Sequence, residues 1–112
     1  MYYVGIDIGS TASKVVVRGE KELHFVLPTG WSSKETCQII KEKLETENID
    51  VLSDETKVVA TGYGRVAVEF ADFVITEITC HARGAHFLNP EVRTVIDIGG
   101  QDSKVIRLDE NG

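Results

Sequence analysis

Ile6-Asp7-Ile8-Gly9-Ser10-Thr11-Ala12-Ser13-Lys14-Val15 is the stretch on which the reading of this chain turns. An apolar strand carries an acidic residue to its end, a glycine turn follows, and a second strand opens on Ser13-Lys14. Ninety residues on, Ile96-Asp97-Ile98-Gly99-Gly100-Gln101-Asp102-Ser103-Lys104-Val105 repeats it, agreeing at seven of ten positions. One such turn between strands is commonly only a turn. Two copies of strand, aspartate, glycine turn and Ser-Lys are hard to obtain by chance, and the period is far too long for a solenoid. The expectation is a duplicated unit whose copies face one another across a cleft.

Each copy has the parts for one kind of chemistry. Glycine lets backbone amides approach a ligand closely, and the amides of a tight turn form a concave array of N–H dipoles that suits phosphate oxygens. An aspartate beside them suits Mg²⁺, held through water because that ion releases its hydration shell reluctantly. Two such hairpins would grip adjoining phosphates from opposite sides and stabilise transferring charge without covalent chemistry from the protein. Neither a GxxxxGK[ST] loop nor a GxGxxG turn occurs, so neither a Walker nor a Rossmann site is indicated.

Working outward, residues 2–8, 14–18 and 22–27 read as three successive strands, a meander, ended by Pro28-Thr29-Gly30. Ser32 and Glu35 form a capping-box start. Behind it Cys37, Ile40 and Leu44 recur at helical spacing, which predicts an amphipathic helix over 33–47. A strand over 57–60 runs into Thr61-Gly62-Tyr63-Gly64-Arg65. A brief helix near 66–70, a strand near 73–75 and a helix over 76–88, stopped by Asn89-Pro90, follow. Strands over 93–98 and 103–108 close the list of elements. The order is βββαβαβα and then ββ, an α/β layout with a mixed sheet.

Composition bounds the function. The 112 residues fit about one small domain, with 12 Lys plus Arg against 18 Asp plus Glu, a formal charge of -6. That sign argues against a general nucleic-acid binder and against a polybasic membrane patch. Apolar runs are far too short to span a bilayer, and no secretory signal opens the chain. Cys37 and Cys80 form no CxxC pair, so a cytoplasmic protein with reduced thiols is expected. Asn111-Gly112 is a strong hairpin-turn signal with no returning strand. It reads as an interruption whose free edge would pair with the first sheet or with another copy.

Several residues invite two readings. Cys80 and His81 are neighbours on a helix and point about 100° apart, so joint chelation is awkward and a small buried thiol is the simpler account. Cys37 lies on the apolar stripe of its helix and reads as core. Thr61 to Arg65 follows a buried strand, where α/β ligand sites gather. Arg65 there either senses nucleotide state or a partner, or simply belongs to a strand-to-helix connection. Trp31 is either a partner contact or an anchor for the helix beside it. Glu42, Glu45 and Glu47 read as a solvated helix face.

Asp7 to Lys14 resembles the first phosphate motif, and Asp97 to Asp102 the second, of the actin, chaperone ATPase and sugar kinase superfamily with ribonuclease H-like domains. Within it, Ala60-Thr61-Gly62-Tyr63-Gly64-Arg65, Glu77-Ile78-Thr79-Cys80-His81-Ala82 and Val95 to Asp102 are similar to the ATPase activators of 2-hydroxyacyl-CoA dehydratases, relatives of the benzoyl-CoA reductase ATP-binding subunits. The resemblance runs along the whole chain in order. It implies an ATP- and Mg²⁺-dependent, oxygen-sensitive homodimer that holds a [4Fe-4S] cluster between subunits and delivers an electron to a dehydratase or reductase partner.

Carried over by position, Asp7 organises Mg²⁺, and Gly9, Ser10, Thr11, Ala12, Ser13 and Lys14 surround the phosphates of ATP or ADP. Asp97, Gly99, Gly100 and Gln101 position metal, γ phosphate and attacking water, which makes Asp7, Asp97 and Gln101 the catalytic candidates. Residues 1–90 are then an N-terminal ribonuclease H-like ATPase domain and 91–112 the first hairpin of a second. The family's cluster cysteines, in Cys-Ala-Ala-Gly-Thr-Gly and Ser-Thr-Cys contexts, do not occur before Gly112. This stretch alone is therefore expected neither to hold the cluster nor to hydrolyse ATP efficiently. A sugar or acyl kinase of the same superfamily, and a non-catalytic nucleotide-binding module, are the alternatives.

Overall fold

A computed structural model of the chain describes residues 1–99 and 103–112. Its contacts divide the chain into two compact units, Met1–Val74 and Ile75–Gly112. In the first, β1 (Tyr2–Ile8), β2 (Ala12–Gly19) and β3 (Leu23–Pro28) form the expected antiparallel meander. Then α1 (Ser33–Thr46) crosses over and β4 (Thr56–Thr61) returns parallel to β1. A crossover helix is what a parallel return requires. The two-residue β5 (Phe73–Val74) pairs parallel to β4, which gives the strand order β3-β2-β1-β4-β5.

The alternation of side chains along the strands decides which face α1 covers. Val4, Ile6 and Ile8 of β1, Val15 and Val17 of β2, and Val58 and Ala60 of β4 are buried with Cys37, Ile40 and Leu44 of α1 in one apolar core. Fully burying an isoleucine or leucine stabilises the fold by about 1.5–3 kcal/mol. At its start, α1 has the Ser32 hydroxyl accepting from the Glu35 N–H at 3.3 Å. At its end, Asn48 takes φ 63°. The Ile49 N–H then bonds the Leu44 carbonyl and the Asn48 N–H that of Glu45. This is a Schellman closure, and the apolar pair that accompanies it, Leu44 and Ile49, is fully buried.

The opposite sheet face is open. Tyr3, Gly5, Val16, Val59 and Phe73 line a shallow apolar groove of about 450 Å³ there. The helix expected near 66–70 is only a 3₁₀ turn, Arg65–Ala67. Gly64 offers no side-chain cap and Val66 is 83% exposed, so neither a start signal nor an apolar stripe supports a longer helix.

The second unit holds α2 (Glu77–Leu88), β6 (Thr94–Ile98) and β7 (Ser103–Arg107). β6 and β7 form an antiparallel sheet of their own and do not extend the first, one of the two pairings expected for the free edge. α2 packs against both strands, and Ile106 and Leu108 are buried. The compact units divide after Val74.

Candidate functional site

The first hairpin places Asp7 opposite Lys14 and Ile8 opposite Ser13. Asp7 alternates with Ile6 and Ile8, so its carboxylate leaves the face that α1 covers. Lys14 Nζ lies 3.6 Å from Asp7 Oδ2. On the other flank, Asp7 is in parallel register with Thr61, the last residue of β4. Asp7 Oδ1 and Thr61 Oγ1 are both buried, and neither has a hydrogen-bond partner among the described residues. The carboxylate thus has one oxygen beside an ammonium and the other without a partner.

The turn between β1 and β2 is held from below by Thr29, a residue the sequence reading passed over. The Thr29 hydroxyl donates to the Gly9 carbonyl at 2.7 Å, so the 2.8 Å contact with Ser13 is donated by the Ser13 hydroxyl. The Thr29 N–H bonds the Thr11 carbonyl, and the Thr36 hydroxyl donates to the Thr29 carbonyl. Ser13 is fully buried. Its hydroxyl therefore shapes the turn from inside, while Ser10, Thr11 and Lys14 are exposed and Gly9 and Ala12 are half-buried. The Gly9 N–H closes on the Ala12 carbonyl at 3.1 Å, and a Cβ on Gly9 would run into that carbonyl. The signal for Thr29 lay in Pro28-Thr29-Gly30: a buried hydroxyl in a chain reversal needs backbone partners.

The Thr61 to Arg65 turn closes over the end of β1. The Gly64 N–H bonds the Ile8 carbonyl at 2.9 Å. Gly62 has φ +94°, and a Cβ there would collide with Asp7 Oδ1 and the Ile8 carbonyl. Only glycine lets the turn pass so close to the carboxylate. Arg65, left with two readings above, donates from Nη1 to the Gly62 carbonyl at 3.0 Å and so braces its own turn.

The second hairpin repeats the register, with Asp97 opposite Lys104 and Ile98 opposite Ser103. Lys104 Nζ lies 3.7 Å from Asp97 Oδ2 and 3.7 Å from Glu77 Oε2 of α2. His81 Nδ1 is 3.1 Å from Asp97 Oδ2 but lacks hydrogen-bond alignment, leaving this buried nitrogen unpaired. Gly99 is exposed. Gly100, Gln101 and Asp102 lie outside the described residues.

The remaining candidates separate clearly. Cys37 is buried in the core, and burial, then the nearby Glu69 carboxylate, pushes its thiol pKa above the ordinary range. Cys80 is half-buried on α2. Among the described residues no group of three or more His, Cys, Asp or Glu side chains is placed to hold a metal ion. Trp31 is fully exposed and so does not anchor α1. Among the described residues no helix is long and apolar enough to cross a membrane.

The BadF/BadG/BcrA/BcrD ATPase family matches residues 4–112. The chain belongs to that family. It is 45% identical over 115 residues to a 2-hydroxyisocaproyl-CoA dehydratase activator of Clostridioides difficile, covering 100% of this chain and 43% of the relative. It is 44% identical over 116 residues to the (R)-2-hydroxyglutaryl-CoA dehydratase activating ATPase of Acidaminococcus fermentans, covering 100% of this chain and 44% of that one. The crystal structure of component A of the (R)-2-hydroxyglutaryl-CoA dehydratase from the same organism superposes with a TM-score of 0.80 at 39% identity, over 97% of this chain and 43% of that chain. The fold is that of the ribonuclease H-like, actin-like ATPases. The chain spans less than half the length of these relatives and corresponds to their N-terminal part.

Proposed function

We propose that this chain is the ATP-binding, N-terminal part of an activator that couples ATP hydrolysis to electron delivery into a 2-hydroxyacyl-CoA dehydratase or a benzoyl-CoA reductase. The observation that carries the reading is the Asp7 carboxylate at the carboxyl end of β1, with Oδ2 beside Lys14 and a buried, unpartnered Oδ1 beside the unpartnered Thr61 hydroxyl. Hard oxygen donors with unfilled valence suit a hydrated divalent cation, so Mg²⁺ with a nucleoside triphosphate fits this site. When bound, that pair brings the phosphoryl group to be transferred and the positive charge that offsets its oxygens. The family and the names of its dehydratase-activator relatives support the same reading.

The chain's own residues divide the work. Lys14 and the β-ladder orient Asp7, and the Thr29 hydroxyl network fixes the Gly9 to Ser13 turn, whose Ser10 and Thr11 are left facing outward for phosphate. On this reading Asp97 with Gly99, Gly100 and Gln101 forms the second phosphate and water-positioning hairpin, with residues 1–90 as the first domain and 91–112 as the opening of the second. The full-length protein is a cytoplasmic homodimer. A [4Fe-4S] cluster does not fit this chain's residues, because Cys37 is closed into the core and Cys80 has no cysteine near it on α2.

Calorimetry with Mg·ATP and Mg·ADP tests the reading. Weak binding that Asp7→Ala removes is the expected outcome. No binding at millimolar nucleotide, or binding indifferent to Asp7→Ala, overturns it.

A further inference from the structure

Among the described residues only three buried side-chain polar atoms lack a hydrogen-bond partner, and two of them, Asp7 Oδ1 and Thr61 Oγ1, sit on strands paired in register. Parallel strands in register put such side chains side by side on one face, here the face away from α1. A buried polar atom without a partner costs free energy, and two neighbouring ones are not an accident of a loosely built loop. Serine and threonine at the end of a strand ordinarily satisfy themselves on a nearby backbone group. Thr61 has such groups within its own turn and bonds none of them. Gly62 reinforces the point, since its left-handed backbone and missing Cβ let the turn pass close to Asp7 Oδ1 with no side chain set against that oxygen.

We propose that Thr61 is a further ligand-binding residue of this site, its hydroxyl and Asp7 Oδ1 together holding one water of a hydrated divalent cation. The proposal rests on the nucleotide reading above and adds to it a residue from β4, outside both glycine hairpins. A water bound to a dication is a strong donor and satisfies the carboxylate oxygen and the hydroxyl oxygen at once. Lys14 lies beside the other carboxylate oxygen, which leaves Oδ1 and Thr61 Oγ1 as the unpartnered pair that would hold the water.

The test compares Thr61→Val, which keeps the side-chain shape, with Thr61→Ser, which keeps the hydroxyl, by thermal unfolding without ligand and by calorimetry with Mg·ADP. Thr61→Val is expected to unfold at or above the temperature of the unaltered chain, because it removes an unpaired hydroxyl, and to bind Mg·ADP about tenfold more weakly. Thr61→Ser is expected to retain the affinity. A lower unfolding temperature for Thr61→Val makes the hydroxyl a structural group and overturns the proposal, as does unchanged Mg·ADP affinity in that variant. If Asp7→Ala abolishes binding while Thr61→Val does not, the nucleotide reading stands and only the role of Thr61 falls. If the unaltered chain binds no Mg·ADP, both fall.

Discussion

In the first hairpin Ile6, Ile8 and Val15 are buried; at the corresponding positions of the second, Ile96 is 69%, Ile98 79% and Val105 66% exposed. The two hairpins have nearly the same sequence and the same register, aspartate opposite lysine and isoleucine opposite serine. What differs is the cover. α1 lies on the face that carries Ile6 and Ile8, whereas α2 lies on the other face of its hairpin, the one that carries Asp97, Lys104 and Ile106. Strand pairing is thus written into the repeat, but the choice of buried face is made by the helix that arrives, and each hairpin takes a different one. The exposed Ile96, Ile98 and Val105 form the face that a helix equivalent to α1 would cover.

The largest expected effect follows directly. Ile6→Ala removes a fully buried side chain beneath α1 and is expected to cost about 2–5 kcal/mol. Ile96→Ala, its counterpart ninety residues on, is expected to change stability by no more than about 0.5 kcal/mol. Urea unfolding followed by circular dichroism measures both. Equal losses would mean that the second hairpin has a covered apolar face and would end the contrast.

A smaller effect separates the two serines. Ser13 is buried and donates to Thr29, so Ser13→Ala leaves the Thr29 oxygen short of a donor and is expected to cost about 1–2 kcal/mol. Ser103 is exposed, and Ser103→Ala is expected to be neutral within about 0.5 kcal/mol. Hydrogen exchange at the amides of β1 and β6 reads the two changes separately. A loss on Ser103→Ala as large as that on Ser13→Ala would show that the second turn has its own buried hydroxyl network.

The lysines reverse the order of the hairpins. Lys104 lies between two carboxylates and its side chain is 23% exposed, whereas Lys14 has one partner and is 52% exposed. Lys104→Met is expected to cost up to about 1 kcal/mol and to lose part of that at high salt, with Lys14→Met below about 0.5 kcal/mol. The same urea experiment at two ionic strengths checks this, and a larger loss at Lys14 would mean that its pairing with Asp7 does more than orient the carboxylate.

Much of this was legible in the sequence because it depended on local pattern. Apolar runs joined by a small-residue turn named β1 and β2, helical spacing of Cys37, Ile40 and Leu44 named the inner face of α1, and the ninety-residue repeat gave the common register of Asp7 and Asp97. The unreadable parts depended on contacts distant in sequence. Nothing local says that Thr29 reaches back to Gly9 and Ser13, or that Thr61 ends level with Asp7, since that register is fixed only when β4 pairs with β1. Nor does a run such as Val66 to Phe70 disclose that it lacks a cap and a buried stripe, which is why a 3₁₀ turn stands where a helix was expected. The packing of α2 on β6 and β7 escaped for the same reason: helix periodicity identifies the element and not the sheet it covers.

The smallest effect tests how tightly the core of the first unit is closed, by comparing its one thiol with the one thiol of the second. Cys37 is 4% exposed, and burial together with Glu69 raises its pKa, so in the folded chain it holds its proton more tightly than in the unfolded one. Its contribution to stability is therefore complete below the ordinary thiol pKa and is lost as pH rises through the raised value. Mildly alkaline urea titrations should show this decline, and Cys37→Ala should remove it along with some core packing. Cys80, half-buried on α2, should react with iodoacetamide before Cys37 does, because alkylation needs both a thiolate and access. Faster labelling of Cys37 would mean that α1 lifts from the sheet often enough to expose the core, and the closed first unit would then be as open as the hairpin that repeats it.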